Sequence, residues 1–484
     1  MRSRNVLIAT FLVATNLVQM IAAMTGIAGG RALSEFMGIH GEGKNWPAAS
    51  FSLTQGTFVL VTGRLGDVYG HKVLLLIGGF TFTLWTFICC ASSNFAVFNI
   101  ARALAGFGSA LIMPNAIGII GTTYPPGRMR NLVLGSFGAT GPLGGYVGGI
   151  VGGLIFEHSS WKWLFIFIGI FGTITFLPLY FLLPKNAPAD RGGHIDWPGA
   201  ALVSAGFILF NVVWNQAPEV GWSTTYEIAL LVVAMLVLIT FGAWEHLFAR
   251  HPIMPMKIFK APSFLPLVVV VLLSYMSFGN LQWYMVLWQQ DVRGWSVLQF
   301  SLGWTPFAIA GTLGAGLAAW LIPRIAAQWI IAIGAVSTLI SNVLVVTMPA
   351  QQIYWAQIFP ATILISFCPD FIYTAAQIVA SNSVSHRDQG IAGSLIGALN
   401  LYGCSLGIGF GSTVEAYIQG KGGDVLFGYR AALYFGIALA AIAIMLDVFL
   451  VRVGKDERQG WDEDVAEETL GRHSHDSCVT NPMV

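Results

Sequence analysis

Charge is scarce in this chain. Only 10% of its 484 residues are Asp, Glu, Lys or Arg, 55% are hydrophobic, and the mean hydropathy is +0.70. A soluble globular protein carries about 25% charged residues, so this composition cannot clothe a water-facing surface. The net charge of +1 decides nothing about nucleic acid by itself; where the charges lie matters more, and no nucleic-acid partner is expected. Cysteine is also rare. Cys89, Cys90, Cys368 and Cys404 fall inside apolar runs and Cys478 in the C-terminal tail, with no metal or redox spacing. They read as free thiols behaving as small hydrophobes. There is no N-x-[ST] sequon, and the histidines His40, His71, His158, His194, His246, His251 and His386 are scattered singly. No nucleophile, metal or phosphate-binding constellation exists, so neither an enzyme nor a cofactor is expected. Nor is a cleavable leader, since the first apolar run, Val6–Ile27, is too long for one and continues into a repeating pattern.

What the chain has is long apolar runs. A membrane span needs about 20 predominantly apolar residues. Fourteen candidates centre near Leu17, Val59, Leu84, Leu111, Gly144, Gly172, Phe207, Met235, Tyr275, Thr312, Ser337, Ile363, Leu399 and Ala440. The pair at Phe207 and Met235 is the weakest, because Asn211, Asn215, Gln216 and Glu219 crowd its connection; twelve spans is the competing count. With the N-terminus inside, seventeen Lys and Arg fall in cytoplasmic segments and six outside, with Arg102 within a span. That asymmetry obeys the positive-inside rule, and Trp161, Trp163, Trp197, Trp222 and Trp355 at span ends form an aromatic belt. Removing the seventh and eighth spans together would keep the parity, but their length and hydrophobicity favour fourteen.

Two breaker-rich segments, Pro184–Asp196 and Arg250–Ser263, divide the chain into six, two and six spans. The expected domains are 1–183, 184–263 and 264–452, with a polar, disordered cytoplasmic tail over 453–484. LIMPNAIGII in the fourth span resembles SFCPDFIYTA in the twelfth, as two related bundles require.

Between the second and third runs lies GRLGDVYGHK, residues 63–72. Glycines at 63, 66 and 70 allow a tight turn, and Arg64, Asp67, His71 and Lys72 place it where membrane meets water. The string resembles the signature loop of major facilitator superfamily transporters, with His71 in place of the usual Arg. The resemblance implies a major facilitator fold: an all-α polytopic membrane protein of two six-helix bundles plus two additional spans. It also implies that Gly63, Arg64, Asp67, Gly70, His71 and Lys72 form a conformational loop holding the outward-open state by docking on the other half. The corresponding stretch of the second half, LIPRIAAQW, keeps one Arg and has lost the acid and the glycines.

Arg102 is the one basic residue in the middle of an apolar run. An unpaired cation at the bilayer centre costs at least about 2.5 kcal/mol, so it requires an internal partner. Its setting, FNIARALAGFGSA, resembles the fourth-span motif of proton-coupled facilitators, where the Arg is linked to proton transfer. The fifth span, GSFGATGPLGGYVGGIVGGL, carries small residues at helical spacing for close helix approach. It resembles the antiporter motif of exporters at Gly141, Pro142 and Gly145, while Tyr146 and Phe137 depart from it. Asp370 follows Pro369 in the twelfth span. A carboxyl group in an apolar setting is disfavoured as an anion, so it can be neutral in one state and ionised in another, as proton coupling needs. Substrate contact or structural pairing are the other readings. Asn115 holds the corresponding place in the first half and cannot titrate. Many fourteen-span drug antiporters carry an acid in the first span; here ATNLVQMIAAMTG offers only Asn16 and Gln19. Gln19, Gln55, Asn115, Gln282, Trp283, Gln377, Asn400 and Tyr402 are candidates for an amphipathic cavity, though each alone is more often an interhelical hydrogen bond.

Over most of residues 5–452 the chain is similar to the fungal drug:H+ antiporter-2 group, nearest its aminotriazole-resistance and low-affinity ammonium transporter branch, through GTFVLVTGRLGDVYGHK, PNAIGIIGTTYPPGRMRN and DQGIAGSLIGALN. That branch also lacks the first-span acid. The expected function is therefore a monomeric, proton-coupled exporter of a small organic molecule across the cell membrane, with both termini cytoplasmic. An importer or low-affinity carrier of a small polar solute such as ammonium is the alternative.

Overall fold

The structure is a computed structural model describing residues 2–39, 45–124, 128–184, 193–250, 252–254, 256–261, 263–322, 324–383, 389–420, 422 and 424–452. The tail over 453–484 and most of the first breaker-rich segment, residues 185–192, lie outside them, as does the Arg387–Asp388 loop.

Apolar runs with no water to satisfy their backbone must fold as helices. The described residues do so throughout: α1 (Arg2–Phe36), α2 (Trp46–Tyr69), α3 (His71–Ala91), α4 (Phe95–Thr123), α5 (Arg128–His158), α6 (Lys162–Leu182), α7 (Trp197–Val220), α8 (Thr225–Leu247), α9 (Phe264–Leu287), α10 (Val297–Gly303), α11 (Thr305–Leu321), α12 (Ala327–Val346), α13 (Ile358–Ile365), α14 (Phe367–Ser383), α15 (Gln389–Gly420) and α16 (Val425–Leu450). Among the described residues twelve helices are long and apolar enough to cross a membrane, counting α13 and α14 as one. Helices also stand at the other two expected positions. These are α2, which carries Arg64 and Asp67, and α11, which has 17 residues.

Local sequence explains the ends. Asn94 caps α4 by accepting from Ala96 N at 2.8 Å, and Ser296 and Gln299 form a reciprocal capping box on α10. The expected loop over residues 63–72 is in fact mostly helix. α2 runs to Tyr69 and α3 starts at His71, so Gly70 alone makes the turn, at φ 97°. Only glycine takes that backbone conformation without strain.

Helices α1–α6 pack on one another, α9–α16 do likewise, and the two groups meet chiefly along α2–α15 and α5–α10–α11. α7 lies against both α2 and α15. α8 leaves Val232, Leu236 and Ile239 among its exposed residues, a surface suited to lipid. The alternation of helix direction puts the 63–72 hairpin, the start of α1 and the end of α16 at one end of the protein, called here the hairpin end. The start of α2 and the ends of α1 and α9 lie at the far end.

Glycine sets the closest approaches. A methyl group at Gly108 would stand 2.5 Å from Phe82 N and 2.9 Å from Gly78 O, where α3 meets α4; one at Gly135 would meet nothing within 4 Å. Gly108→Ala is therefore expected to destabilise the protein by about 1–3 kcal/mol. Gly135→Ala should leave it unchanged or stabilise it by up to about 1 kcal/mol. Thermal unfolding in detergent, followed for both variants, checks the contrast.

Candidate functional site

Pro369 has no N–H to give to Ile365, and the helix breaks there: α13 ends at Ile365 and α14 begins at Phe367. The break places Asp370 in the first turn of α14, where unpaired backbone N–H groups favour a carboxylate. Tyr275 holds the break by donating to Pro369 O at 3.0 Å. Oδ2 of Asp370 is buried and has no hydrogen-bond partner among the described residues. Opposite it, α11 presents two glycines. A methyl at Gly311 would stand 3.5 Å from Asp370 Oδ2 and 2.8 Å from Pro142 Cβ; one at Gly314 would stand 3.6 Å from the same oxygen. Pro142 and Asp370, singled out separately in the sequence, thus converge on Gly311 at the seam between the two helical groups.

α5 supplies the other wall. Toward the far end it crosses the seam closely, since a methyl at Gly149 would stand 2.7 Å from Ser301 Oγ and one at Gly153 2.5 Å from Leu298 Cα. Tyr146, where the sequence departs from the exporter pattern, accepts from Thr305 Oγ1 at 3.0 Å. Toward the hairpin end the contact ceases. Among the described residues, Gly135, Gly138 and Gly141 have nothing within 4 Å of an added methyl. Asn16 braces the turn before Pro142 by donating to Phe137 O and Thr140 Oγ1, both at 2.9 Å.

The hairpin is built into the first helical group and touches the second. His71 Nδ1 lies 2.9 Å from Asn115 Oδ1 and its Nε2 3.6 Å from Asp67 Oδ1. Since an amide oxygen only accepts, Nδ1 is the donor. The imidazole sits where a methyl at Gly118 would meet it at 2.7 Å, so the ring fills a glycine notch in α4. Lys72 Nζ donates to Leu183 O at the end of α6. Gly63 abuts Ser394 of α15. In the second half, Arg324, just beyond α11, lies over the Trp320 ring of that helix, with 4.0 Å from Cζ to the ring centroid.

Arg102 is buried, and its partners are main-chain carbonyls. Nε donates to Pro47 O at 3.0 Å and Nη1 to Ala22 O at 2.9 Å, with the guanidinium 5.2 Å from the Phe51 ring centre. It ties α4 to α1 and α2. Arg102 and Asp370 share none of these contacts, so the structure does not bring together the two residues that the sequence assigned to proton coupling. The cavity candidates also divide. Ser109 donates to Gln19 Oε1 at 2.5 Å and Gln55 donates to Ser109 at 2.8 Å, a network inside the first group. Asn115 serves the hairpin. Tyr402 faces α7, donating to Phe207 O at 2.8 Å. Gln377 bridges to Gly393 O at 2.9 Å, Gln282 and Trp283 are buried on α9, and Asn400 is half-buried on α15.

One feature of the far end escaped the sequence reading. Arg31 of α1 pairs with Asp291, just beyond α9; Tyr429 donates to the same carboxylate; and Gln290 donates to Ala28 O at 2.8 Å. This clasp joins the two helical groups. Burial also lowers the pKa of the neighbouring Arg293 guanidinium from its ordinary value. Arg31 and Asp291 sit at the matching ends of spans one and nine, which is the signal a charge count by sign alone passes over.

A family model described as Major Facilitator Superfamily matches residues 6–412. The chain belongs to that superfamily. Among curated members of the Major Facilitator Superfamily it is 34% identical over 413 residues to the low affinity ammonium transporter of Saccharomyces cerevisiae, covering 83% of this chain and 79% of that one. It is 33% identical over 421 residues to the aminotriazole resistance protein of the same yeast, covering 86% and 78%. To the efflux pump terJ of Aspergillus terreus it is 33% identical over 415 residues, covering 84% and 79%. An auto-inhibited peptide transporter of the POT family shares the fold at TM-score 0.65 and 16% identity, over 94% of this chain and 99% of that one. The human organic anion transporter MFSD10 does so at TM-score 0.60 and 15% identity, over 91% and 98%. The protein is a multi-pass membrane transporter, and its relatives and fold are those of transporters rather than enzymes.

In a superfamily transporter a clasp between halves sets how often that end opens. The Arg31 and Asp291 side chains keep 31% and 15% exposure, so their pair is worth no more than about 1 kcal/mol. Arg31→Gln is expected to raise alkylation of Thr305→Cys by a membrane-impermeant thiol reagent about fivefold, the factor that about 1 kcal/mol gives. An unchanged rate would show that the clasp does not hold the far end.

Proposed function

We propose that this protein is a proton-coupled exporter of a small organic molecule working by alternating access, and that Asp370 is its proton site. The observation that carries the reading is the unpartnered Oδ2 of Asp370 beside the Pro142–Gly311 contact. A charge inside a membrane is costly unless it is compensated. A carboxyl group at the seam between two moving halves is therefore stable as the neutral acid when the seam is closed and as the anion when water reaches it. Protonation then biases the populations of the two open states. Pro142 makes the α5 wall sensitive to that bias because it packs on the glycine that flanks the acid. The hairpin, through Gly63 against Ser394 and Asp67 beside His71, acts as the conformational latch. Arg102 contributes by fixing α1, α2 and α4 relative to one another.

The full reading has fourteen spans, with α2 and the α10–α11 pair counted as crossings. It divides the chain at 1–183, 184–263, 264–452 and 453–484. Both termini face the cytoplasm, the membrane is the fungal plasma membrane, and the protein acts as a monomer. The fungal relatives with efflux in their names and the lysine and arginine asymmetry support it. Import or low-affinity carriage of a small polar solute is the second reading, favoured by the likeness to the low affinity ammonium transporter.

Reconstituted vesicles with an imposed pH gradient test the proposal, with labelled aminotriazole and methylammonium as probes. Proton-driven accumulation in inside-acid vesicles, from protein inserted with its hairpin end outward, supports export. Asp370→Asn is expected to reduce that flux by about tenfold or more, equivalent to about 1.4 kcal/mol. Full proton dependence in a normally inserted variant would remove Asp370 from the mechanism.

A further inference from the structure

The polar residues that crowd the end of α7 form a continuous chain of buried amides. Asn45, the residue before α2, donates to Asn215 O and Oδ1 of α7 at 3.3 Å each. Asn215 donates to Asn211 Oδ1 at 2.8 Å, and Asn211 Oδ1 also accepts from Ser405 of α15 at 2.9 Å. All four residues are buried, with Asn45 the most exposed at 8%. The chain runs from the first helical group, through α7, into the second.

Packing follows the same line. Trp214 stacks on Phe410 at 3.7 Å between ring centres and 14° between planes. A methyl at Gly409 would stand 3.0 Å from Asn215 Nδ2 and from the Trp214 backbone. Tyr402, bonded to Phe207 O, belongs to the α15 segment whose backbone approaches Gly56 of α2 closely; a methyl there would lie 2.6 Å from Tyr402 N. Toward the hairpin end, Gly63 abuts Ser394. The α2–α15 side is thus joined along its length, at the far end by way of α7. Among the described residues the α5–α11 side is joined from Pro142 to the far end.

We propose that α7 is a strap that keeps the far-end halves of α2 and α15 together through the transport cycle, so that this stretch is the hinge, the Gly63–Ser394 latch releases at the hairpin end, and the α5–α11 side is the gate. An amide buried away from water has no alternative partner if pulled from its neighbour, and three amides in series resist separation at a point where a symmetric rocking motion would part the halves. The additional helix pair then has a mechanical function and is more than an insertion between two bundles. The strap rests on the transport reading, and the test keeps the two apart.

The test introduces Asn45→Cys with Asn215→Cys, and Asn211→Cys with Ser405→Cys, into the full chain lacking its native cysteines. Proton-driven uptake of labelled aminotriazole and methylammonium is compared in the same vesicles before and after oxidation. Both cross-links together should leave the rate unchanged, whereas oxidation of Tyr146→Cys with Thr305→Cys across the gate should abolish transport until a reductant is added. Loss of transport on oxidising the α7 pairs, restored by reductant, overturns the strap. Transport by the reduced protein checks the transport reading separately. A second measurement needs no variant: hydrogen exchange of the unmodified protein at two pH values. The strap predicts altered exchange in residues 135–153 with residues 45–56 and 205–217 unchanged. Equal change in both sets contradicts it.

Discussion

A bilayer offers no hydrogen-bond partner to a polar group, and that constraint draws the polar side chains of this protein onto one another and onto the backbone. Arg102 looks in sequence like a stranded cation, yet two carbonyls and an aromatic ring receive it. Gln19, Gln55 and Ser109 bond one another across three helices, with Gln55 Oε1 left over. Asn45, Asn215, Asn211 and Ser405 bond one another across α7, with Asn211 Nδ2 left over. Asp370 differs in charge and place: it is a carboxyl group at the boundary of the two helical groups, and its Oδ2 has no partner among the described residues. A group that is costly in one state and relieved in another is the physical basis of coupling.

The geometry around that group is asymmetric. α5 touches the other half from Pro142 outward and then faces open space at Gly141, Gly138 and Gly135, while α2 and α15 stay in contact from the middle to the hairpin end. Pro142 lies at the changeover, next to Gly311 and hence to Asp370. A change of charge at Asp370 is therefore felt first where the two halves cease to touch. The Arg31–Asp291 clasp at the opposite end gives the motion a second stop.

Much of this was legible in the sequence, and the limits are instructive. Helices stand at all fourteen expected positions, and among the described residues twelve of them are long and apolar enough to cross a membrane. The expected loop over 63–72 proved to be two helices meeting at Gly70, because Arg64 and Asp67 are compatible with a helix at the membrane boundary and only the positive φ at Gly70 breaks it. Pro142 and Asp370 were each visible, as a helix breaker and a membrane-embedded acid. That they meet at Gly311 was not, since no local pattern reports contact between spans so far apart in the chain. That Arg102 and Asp370, each assigned to proton coupling, have separate surroundings was hidden for the same reason. Tyr402 and Asn115 were expected at a cavity and instead anchor α7 and the hairpin, because a polar residue at mid-span looks the same whether it faces a ligand or a neighbouring helix.

The central claim, that the charge on Asp370 governs the opening beside Pro142, is tested most directly at Gly138, which has room for a side chain. The measurement is the alkylation rate of Gly138→Cys by a membrane-impermeant reagent applied at the hairpin end, at acidic and at alkaline pH, with Asp370 intact and with Asp370→Asn. The account predicts a rate that changes with pH when Asp370 is present and does not change when it is replaced. The same pH dependence in both proteins would contradict it.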